Sequence, residues 1–293
     1  MEHVRVLRPA DGIVAFYEGR EQGHRFAAEP NWVDEGAISL GIASYAIVDD
    51  GEALIYDTHV SVDRARFIRE TLEAEGVERF TVLLSHWHLD HIAGTEAFSD
   101  CEVIACSRTA EHLTEHRDAI EAGTYGGPPP IDPLILPTRT FTDRLGLTVG
   151  GQTVEAIHLN VHSDDAAVLW LVDRRILLAG DTLEDTVTYV DEPEAFGAHL
   201  TGLIRLLDLA PERILPNHGS PERIASGGYG TGLIEATQAY VRKLQRCVHE
   251  PELRDQGLRE FVADSLSADG IEYFEPYEEV HRSNVAAVLA AAG

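Results

Sequence analysis

The chain is predicted to be an α+β protein: two β-sheets stacked face to face, with helices on the outside. Three observations lead there. Apolar strand-like runs and helical runs follow one another in two successive rounds. Many neighbouring strand runs are separated by only a few turn-forming residues, a spacing that antiparallel hairpins allow and parallel crossovers do not. The hydrophobic content of 44% is enough to fill a large core. Sheets that each bury one face against the other, with helices covering what remains, satisfy this order.

The elements follow in turn. Ile38 to Val48 reads as a strand, Asp49-Asp50-Gly51 as a tight turn, and Ala53 to Tyr56 as the returning strand, closed by Asp57-Thr58. Ser61 opens a helical pattern that runs to about Glu75, with Val62, Phe67, Ile68 and Leu72 on its inner side and Gly76 as its stop. Arg79 to Leu84 is a strand, followed by a short helix near Thr95, a strand at Glu102 to Ala105 and a helix from Ser107 to about Glu121. Gly123-Thr124-Tyr125-Gly126-Gly127-Pro128-Pro129-Pro130 cannot be regular. It is a linker, the simpler reading, or a lid over a pocket.

A β-rich stretch comes next: around Thr140, Leu145 to Val149, Thr153 to Leu159, Ala166 to Val172 and Arg175 to Ala179, the last two joined by a turn at Asp173-Arg174. A helix near Ala198 to Leu209, a strand at Arg213 to Leu215 and a helix from about Gly232 to Val248 complete this half. From Pro251 the chain reads as helical and polar, with no identifiable chemistry. No repeat of solenoid period occurs. One domain over residues 1–293 is expected, with 251–293 as a helical C-terminal extension.

Composition narrows the partners. The chain has 293 residues, 50 acidic against 23 basic, and a formal net charge of -27. Its one lysine is Lys243. Such a surface repels polyanions, so nucleic acid and anionic membranes are excluded as expected partners. Cys101, Cys106 and Cys247 have neither zinc-knuckle nor redox-pair spacing and are expected to be reduced thiols. The N-terminus lacks a signal peptide's apolar core, and no uncharged run is long enough to cross a bilayer. A cytoplasmic protein is expected, and a homo-oligomer is compatible with these features.

The chemistry concentrates in Ser85-His86-Trp87-His88-Leu89-Asp90-His91, directly after an apolar strand. Imidazole and carboxylate are ligands of zinc and similar divalent metals. Period-two geometry points His86 and His88 the same way at the strand's end. Asp90 and His91 fall in the next turn, where they can reach a second position. Further candidate ligands are His162 in Asn160-Val161-His162-Ser163, Asp181 in Ala179-Gly180-Asp181-Thr182, and His218 in Pro216-Asn217-His218-Gly219. Each follows an apolar strand, where functional groups converge at a sheet's mouth.

In these motifs, from roughly Ile38 to Ser220, the chain resembles the metallo-β-lactamase superfamily. The His-x-His-x-Asp-His run carries most of that resemblance; the other motifs are weak alone but occur in the family's order. The resemblance implies a four-layer αβ/βα sandwich of two mixed sheets with a metal site at one edge, and core motifs within 38–220. It also implies a ligand set: His86, His88 and His162 for one metal, Asp90, His91 and His218 for a second, and Asp181 bridging. Asp57 matches an aspartate that supports the site from behind, a role that metal-bound imidazoles need filled.

Competing readings attach to several residues. His158, four residues before His162, lies within a strand and reads as a partnered structural histidine. Asp181 could merely cap a turn. His112 and His116 have helical zinc-site spacing, but Glu111, Glu115 and Arg117 around them favour a solvated face. His59, His199 and His249 have no supporting context, although His59 is close enough to Asp57 to approach the site.

Two divalent ions sharing a water lower its pKa from 15.7 towards about 7, giving a hydroxide nucleophile at neutral pH. Asp90, a ligand and the expected catalytic residue, would orient that water and pass a proton to the leaving group. Two zinc ions are the expected cofactors, with manganese or iron as substitutes, and the substrate is a small molecule. The bridging Asp181 makes the chain look like the glyoxalase II, lactonase and phosphodiesterase branches rather than true β-lactamases. Hydrolysis of a small ester, thioester or lactone ranks first. The alternatives are a phosphodiesterase, a persulfide dioxygenase-like enzyme with a single iron, and a non-catalytic metal-binding module. Substrate choice is expected in the loops Asn31 to Ala37, Gly123 to Pro137 and Leu183 to Ala198. Tyr125, Tyr189 and Tyr229 could offer hydroxyls there but read more simply as surface or packing residues, and Phe141, Trp170 and Phe196 as packing residues.

Overall fold

A computed structural model describes residues 1–190 and 192–293; Asp191, in the loop expected to shape substrate choice, lies outside the described residues. In chain order the strands and helices are β1 Arg5–Ala10, β2 Ile13–Glu18, β3 Ile42–Asp49, β4 Glu52–Tyr56, α1 Val62–Ala74, β5 Arg79–Leu83, α2 Leu89–Ile92, β6 Glu102–Cys106, α3 Ser107–Glu115, α4 Arg117–Glu121, β7 Arg139–Phe141, β8 Arg144–Val149, β9 Gln152–His158, β10 Ala167–Leu171, β11 Ile176–Gly180, α5 Phe196–Leu209, β12 Arg213–Pro216, α6 Pro221–Ala225, α7 Gly232–Arg246, α8 Pro251–Arg254, α9 Leu258–Phe261 and α10 Tyr277–Ala292.

The first sheet has seven strands in the order β1-β2-β3-β4-β5-β6-β7, and the second has five in the order β12-β11-β10-β9-β8. Pairing in the first sheet is antiparallel as far as β4 and parallel beyond it. In the second sheet only β11 and β12 run parallel. Both sheets are therefore mixed, as expected.

Alternation along the strands makes the layers. Ile13, Ala15 and Tyr17 of β2 join the core between the sheets, whereas Val14 and Phe16 join the cluster under α1. Ser61 caps α1 by accepting from the Arg64 N–H, satisfying one of the helix's orphan donors. Ala65, Ile68 and Leu72 then give it a buried face. Complete burial of a side chain such as Ile68 or Leu72 is worth about 1.5–3 kcal/mol each. On the other side, Leu203 and Leu206 of α5, Leu233, Val241 and Leu244 of α7, and Val285 and Val288 of α10 pack into the inter-sheet core cluster. The result is helix, sheet, sheet, helix.

Three tyrosines of the first sheet tie it to the second at one end. The Tyr45 hydroxyl donates to Pro216 O at 2.6 Å, Tyr56 to Ala167 O at 2.7 Å and Tyr17 to Gly219 O at 2.9 Å. These bonds hold strand β12, the turn after it and the start of β10 against β2, β3 and β4.

Several elements depart from expectation. The strand expected from Ile38 begins at Ile42, because Val33–Ile38 form a π-helical turn and Gly41 breaks the backbone at φ +80°. The helix expected to reach Glu121 divides at His116. Strands β1 and β2 and helix α6 have no counterpart among the elements expected from sequence. The glycine- and proline-rich stretch packs against the core instead of linking two halves. Trp32 donates its backbone N–H to Pro128 O at 3.2 Å and its indole N–H to Pro129 O at 2.9 Å. Tyr125 sits 5.0 Å, centroid to centroid, from Trp87. No helix among the described residues is long and apolar enough to cross a membrane.

Candidate metal centre

Every candidate ligand lies just beyond a strand end. Strand β5 delivers Ser85, His86 and His88; His88 leads into α2, which carries Asp90 and His91. His162 follows β9, Asp181 directly follows Gly180 at the end of β11, and His218 follows β12. The sheets approach closely here. A Cβ on Gly180, which has φ +56°, would lie 2.8 Å from the Tyr56 hydroxyl oxygen and 3.1 Å from Ser85 Cβ. Glycine is required there by both space and backbone, and it brings Asp181 over the histidine run.

The seven predicted side chains converge. Asp181 Oδ2 lies 3.1 Å from His91 Nε2, 3.4 Å from His218 Nε2, 3.7 Å from His86 Nε2 and 3.8 Å from His162 Nε2. Asp90 reaches His218 Nε2 at 3.2 Å and His91 Nε2 at 3.5 Å. His88 Nδ1 faces His162 Nε2 at 3.1 Å, and the His86 and His88 rings are 4.5 Å apart. Ligand atoms of His86, His88 and His162 lie within 4.8 Å of one another, as do those of Asp90, His91 and His218 and those of His86, His91 and Asp181.

The far ring nitrogens are occupied. His91 Nδ1–H donates to Asp57 Oδ2 at 2.9 Å, and His218 Nδ1–H to Gly41 O at 2.8 Å. The Ser85 hydroxyl donates to Asp57 at 2.7 Å, so its oxygen accepts from His86 Nδ1–H at 2.9 Å. Asp57 also accepts from the Ser85 backbone N–H at 2.6 Å and from Asn217 Nδ2 at 2.5 Å. These bonds keep each Nδ1–H turned outward and each Nε2 turned inward. His86 Nε2 and Asp181 Oδ1 are buried with no hydrogen-bond partner among the described residues. Buried polar atoms left in that condition are costly, and bound divalent cations would supply the missing partners. The donor set, imidazole and carboxylate, fits zinc and its neighbours.

Electrostatics in the protein alone are consistent with a site built for cations. Burial drives the His86 imidazole well below its ordinary pKa, and the neighbouring His91 and His88 add to that. Burial pushes His91 and His218 down too, but the carboxylates around them, Asp181 foremost, outweigh it and hold both well above the usual range. Burial would raise Asp90, yet His91 and His218 bring its carboxyl down to about 2. Asp181 is held well below the carboxylate range by His218 and His91, against burial.

A third acid, Glu184, is not singled out by the sequence. It is buried, lies 3.6 Å from His162 Nδ1, and groups with His162 and Asp181. Burial, reinforced by the charge of Asp181, raises its carboxyl to about 7. Its only sequence signal is its position three residues after Asp181.

Other histidines stand apart. His158 Nε2 bonds Asp164 O at 2.8 Å, a structural role as expected. His112 and His116 are not a solvated pair: both are half-buried, each ring stacks on Trp87 at 4.9 Å, and His112 Nε2 bonds Asp164 at 2.7 Å. His59 is buried beside Asp57, with Nδ1 accepting from the Val60 N–H at 3.0 Å. His199 is buried in α5 and His249 is exposed. Tyr229 is buried, donating to Asp185 at 2.7 Å, while Tyr189 is 39% exposed on a loop expected to shape substrate choice. Phe141, Trp170 and Phe196 are core residues, and all three cysteines are free thiols.

Comparison with known proteins bears on the family and the fold. The chain is 28% identical over 160 residues to the Beta-lactamase-like protein 2 homolog of Drosophila melanogaster, covering 52% of this chain and 48% of that protein. It is 30% identical over 147 residues to the Atrochrysone carboxyl ACP thioesterase of Passalora fulva, covering 49% of this chain and 38% of that one. The chain thus spans about half the length, or less, of the curated relatives it matches. In fold it superposes on a metallo-beta-lactamase from Pontibacter korlensis with a TM-score of 0.62 at 15% identity, over 82% of this chain and 99% of that one. The sequence model of the metallo-beta-lactamase superfamily matches residues 39–218, which span the hairpin, the histidine run, Asp181 and His218. With that match over more than half its length, this chain belongs to the metallo-beta-lactamase superfamily.

Proposed function

We propose that this protein is a metallohydrolase that holds two divalent cations, zinc first among them, and cleaves a small ester, thioester or lactone. His86, His88 and His162 would hold one cation, Asp90, His91 and His218 the other, and Asp181 would reach both. One observation carries the reading: a single buried carboxylate oxygen, Asp181 Oδ2, has the Nε2 atoms of four histidines within 3.8 Å. Protons alone cannot satisfy four inward-facing imidazoles that share one acceptor.

When bound, two such cations supply Lewis acidity and bring the pKa of a water towards about 7. The chain's own residues do the rest. Asp90 is the carboxylate of the centre that is most open to the mouth, 17% exposed against 5% for Asp181 and 1% for Asp57. Held as an anion, it accepts a proton from an incoming water and passes it towards the leaving atom. Asp57 and Ser85 keep His91 and His86 oriented. Trp87, Tyr125 and the half-buried His116 form an aromatic wall beside His88, suited to an apolar acyl portion. The thioesterase relative makes a thioester the first substrate class to try. The acidic surface favours a small-molecule substrate over nucleic acid, and a cytoplasmic location suits the free thiols. We treat residues 1–293 as one domain, since the C-terminal helices share the inter-sheet core.

The test is metal analysis of the reconstituted protein, followed by assays on thioesters, lactones, simple esters and phosphodiesters. Two zinc or manganese ions per chain with thioester or lactone turnover would support the proposal. A single iron with oxygen uptake on persulfides would replace it with the oxidative alternative. Turnover confined to phosphodiesters would move the substrate class, and no bound metal would leave a scaffold.

A further inference from the structure

The extension from Pro251, read from sequence as carrying no chemistry, is bonded residue by residue to the loop beside His162. The Tyr277 hydroxyl, at the start of α10, donates to Glu184 Oε2 at 3.1 Å. Asn284, further along the same helix, donates to Thr188 O at 2.9 Å and accepts from the Val190 N–H at 2.9 Å. Just before the helix, the Glu272 N–H donates to Asp185 Oδ1 at 2.8 Å, and the Thr186 hydroxyl donates to Glu272 O at 2.6 Å. Tyr277 and Asn284 are both completely buried. The loop from 184 to 190 is therefore held by the last helix and the segment just before it, together with bonds from Asp185 to Tyr229 and to His218 O.

That loop turns two acceptors towards one ring nitrogen. Glu184 Oε1 lies 3.6 Å from His162 Nδ1, and Thr188 Oγ1 lies 3.4 Å from it. Glu184 already accepts from the Tyr189 N–H and the Tyr277 hydroxyl. Thr188 places its hydroxyl proton on a backbone carbonyl, Asp181 O at 3.2 Å or Tyr189 O at 3.3 Å, which leaves its lone pair for His162. Both acceptors thus call for a proton on His162 Nδ1 and leave Nε2 facing Asp181 and His88. His91 has Asp57 in this role, His86 has Ser85 and His218 has Gly41. In each of those cases the partner comes from the strand ends themselves.

We infer that Glu184 and Thr188 are positioning residues for His162, and that α10, through Tyr277 and Asn284, is the element that sets them. This rests on the two-cation reading above. The C-terminal extension then completes the position shared by His86, His88 and His162 and leaves the other position to the strand ends.

The test is zinc affinity at the two positions, measured by competition with a chromophoric chelator on the full chain. The variants are Glu184→Ala, Glu184→Gln and Tyr277→Phe. Outer partners of metal-bound histidines commonly govern affinity by 10–100-fold. Glu184→Ala should weaken one of two zinc ions by about tenfold or more and leave the other within about twofold. Glu184→Gln, which keeps an acceptor oxygen, should recover most of that loss, and Tyr277→Phe should fall between. Nitrogen-15 spectra of the metal-free protein should show His162 protonated on Nδ1 in the wild type and a mixture of tautomers in Glu184→Ala. Two wild-type zinc affinities in Glu184→Ala, or equal weakening of both ions, would overturn the inference while sparing the two-cation reading. If Glu184→Ala does not fold, Tyr277→Phe with unchanged affinities and tautomer would overturn it equally. A wild-type protein that takes up no zinc would remove the two-cation reading itself.

Discussion

Asp57 and His91 are joined by a 2.9 Å hydrogen bond in the fully buried floor of the centre, and Asp57 stands there in left-handed backbone at φ +66°. Its two oxygens accept from four groups: the Ser85 N–H, the Ser85 hydroxyl, Asn217 Nδ2 and His91 Nδ1. One carboxylate therefore sets the histidine run from β5 and the turn after β12 against each other.

Asp57→Asn tests that role. Asparagine tolerates left-handed backbone well, so the turn itself should survive. Its amide nitrogen, however, can accept nothing, and at least one of the four donors loses its partner. Zinc affinity should fall 10–100-fold while the circular dichroism spectrum stays that of the wild type. Unchanged affinity in a folded variant would remove Asp57 from the design of the site.

The ligands themselves separate by position. His88→Ala removes a proposed ligand at the mouth, so metal content and activity should be lost together; wild-type metal content with full turnover would refute the assignment. Asp181→Asn should weaken the ion proposed at His91 and His218 more than the other proposed ion. Those two histidines are the ones at 3.1 and 3.4 Å from Asp181, against 3.7 and 3.8 Å for His86 and His162. Equal loss of both ions, read by elemental analysis after dialysis, would argue against a shared carboxylate.

Where sequence and structure agree, the signal is local. The β3–β4 hairpin has its Asp-Asp-Gly turn, α1 has its Ser61 cap, and the histidine run has period-two and turn geometry within seven residues. Strand β2 escapes a sequence reading because all six of its residues are buried, so no polar alternation marks a face. Strand β3 starts late because the break is a backbone event at Gly41, invisible in an apolar run. The stacking of His112 and His116 on Trp87 depends on α3 packing beside the metal run, and their charged sequence neighbours point the other way. Tyr277 and Asn284 lack any signal for the same reason, and Glu184 has only its nearness to Asp181 in the chain. The Tyr277–Glu184 bond spans 93 positions and the Asn284–Thr188 bond 96. Only the folded chain brings them together.

Away from the centre, His199 should make the fold sensitive to mild acid. It is buried in α5 with Nε2 unpartnered among the described residues, and burial lowers its pKa from 6.5 to about 4 against the opposing charge of Glu194. The unfolded chain therefore takes up this proton first as pH falls. Stability from the neutral ring is complete above about 6.5 and is lost on acidification towards 4, up to about 3 kcal/mol in all. His199→Leu should shrink the fall in Tm between pH 7 and pH 5 relative to wild type. An identical fall in both proteins would show that His199 does not carry this dependence.

Gly41→Ala should strike the metal centre from outside it. Gly41 has φ +80°, where a side chain is strained by about 1–3 kcal/mol. An added Cβ would lie 1.8 Å from the Tyr17 hydroxyl oxygen and 2.9 Å from Arg20 Cγ. Tyr17 is fully buried and cannot swing away without losing its bond to Gly219 O, next to His218. Gly41 O is also the acceptor for His218 Nδ1. One methyl group thus disturbs His218 through its own partner and through its neighbour's. The variant should lose about 2 kcal/mol or more of stability, by strain and overpacking together, and, once loaded with zinc, release the ion proposed at His218 before the other. Gly36→Ala is the matched control, because its Cβ meets nothing within 4 Å and its φ is not positive. If Gly41→Ala melted with the control and kept both metals, neither the Gly41–His218 bond nor the Tyr17 contact would be holding the second position.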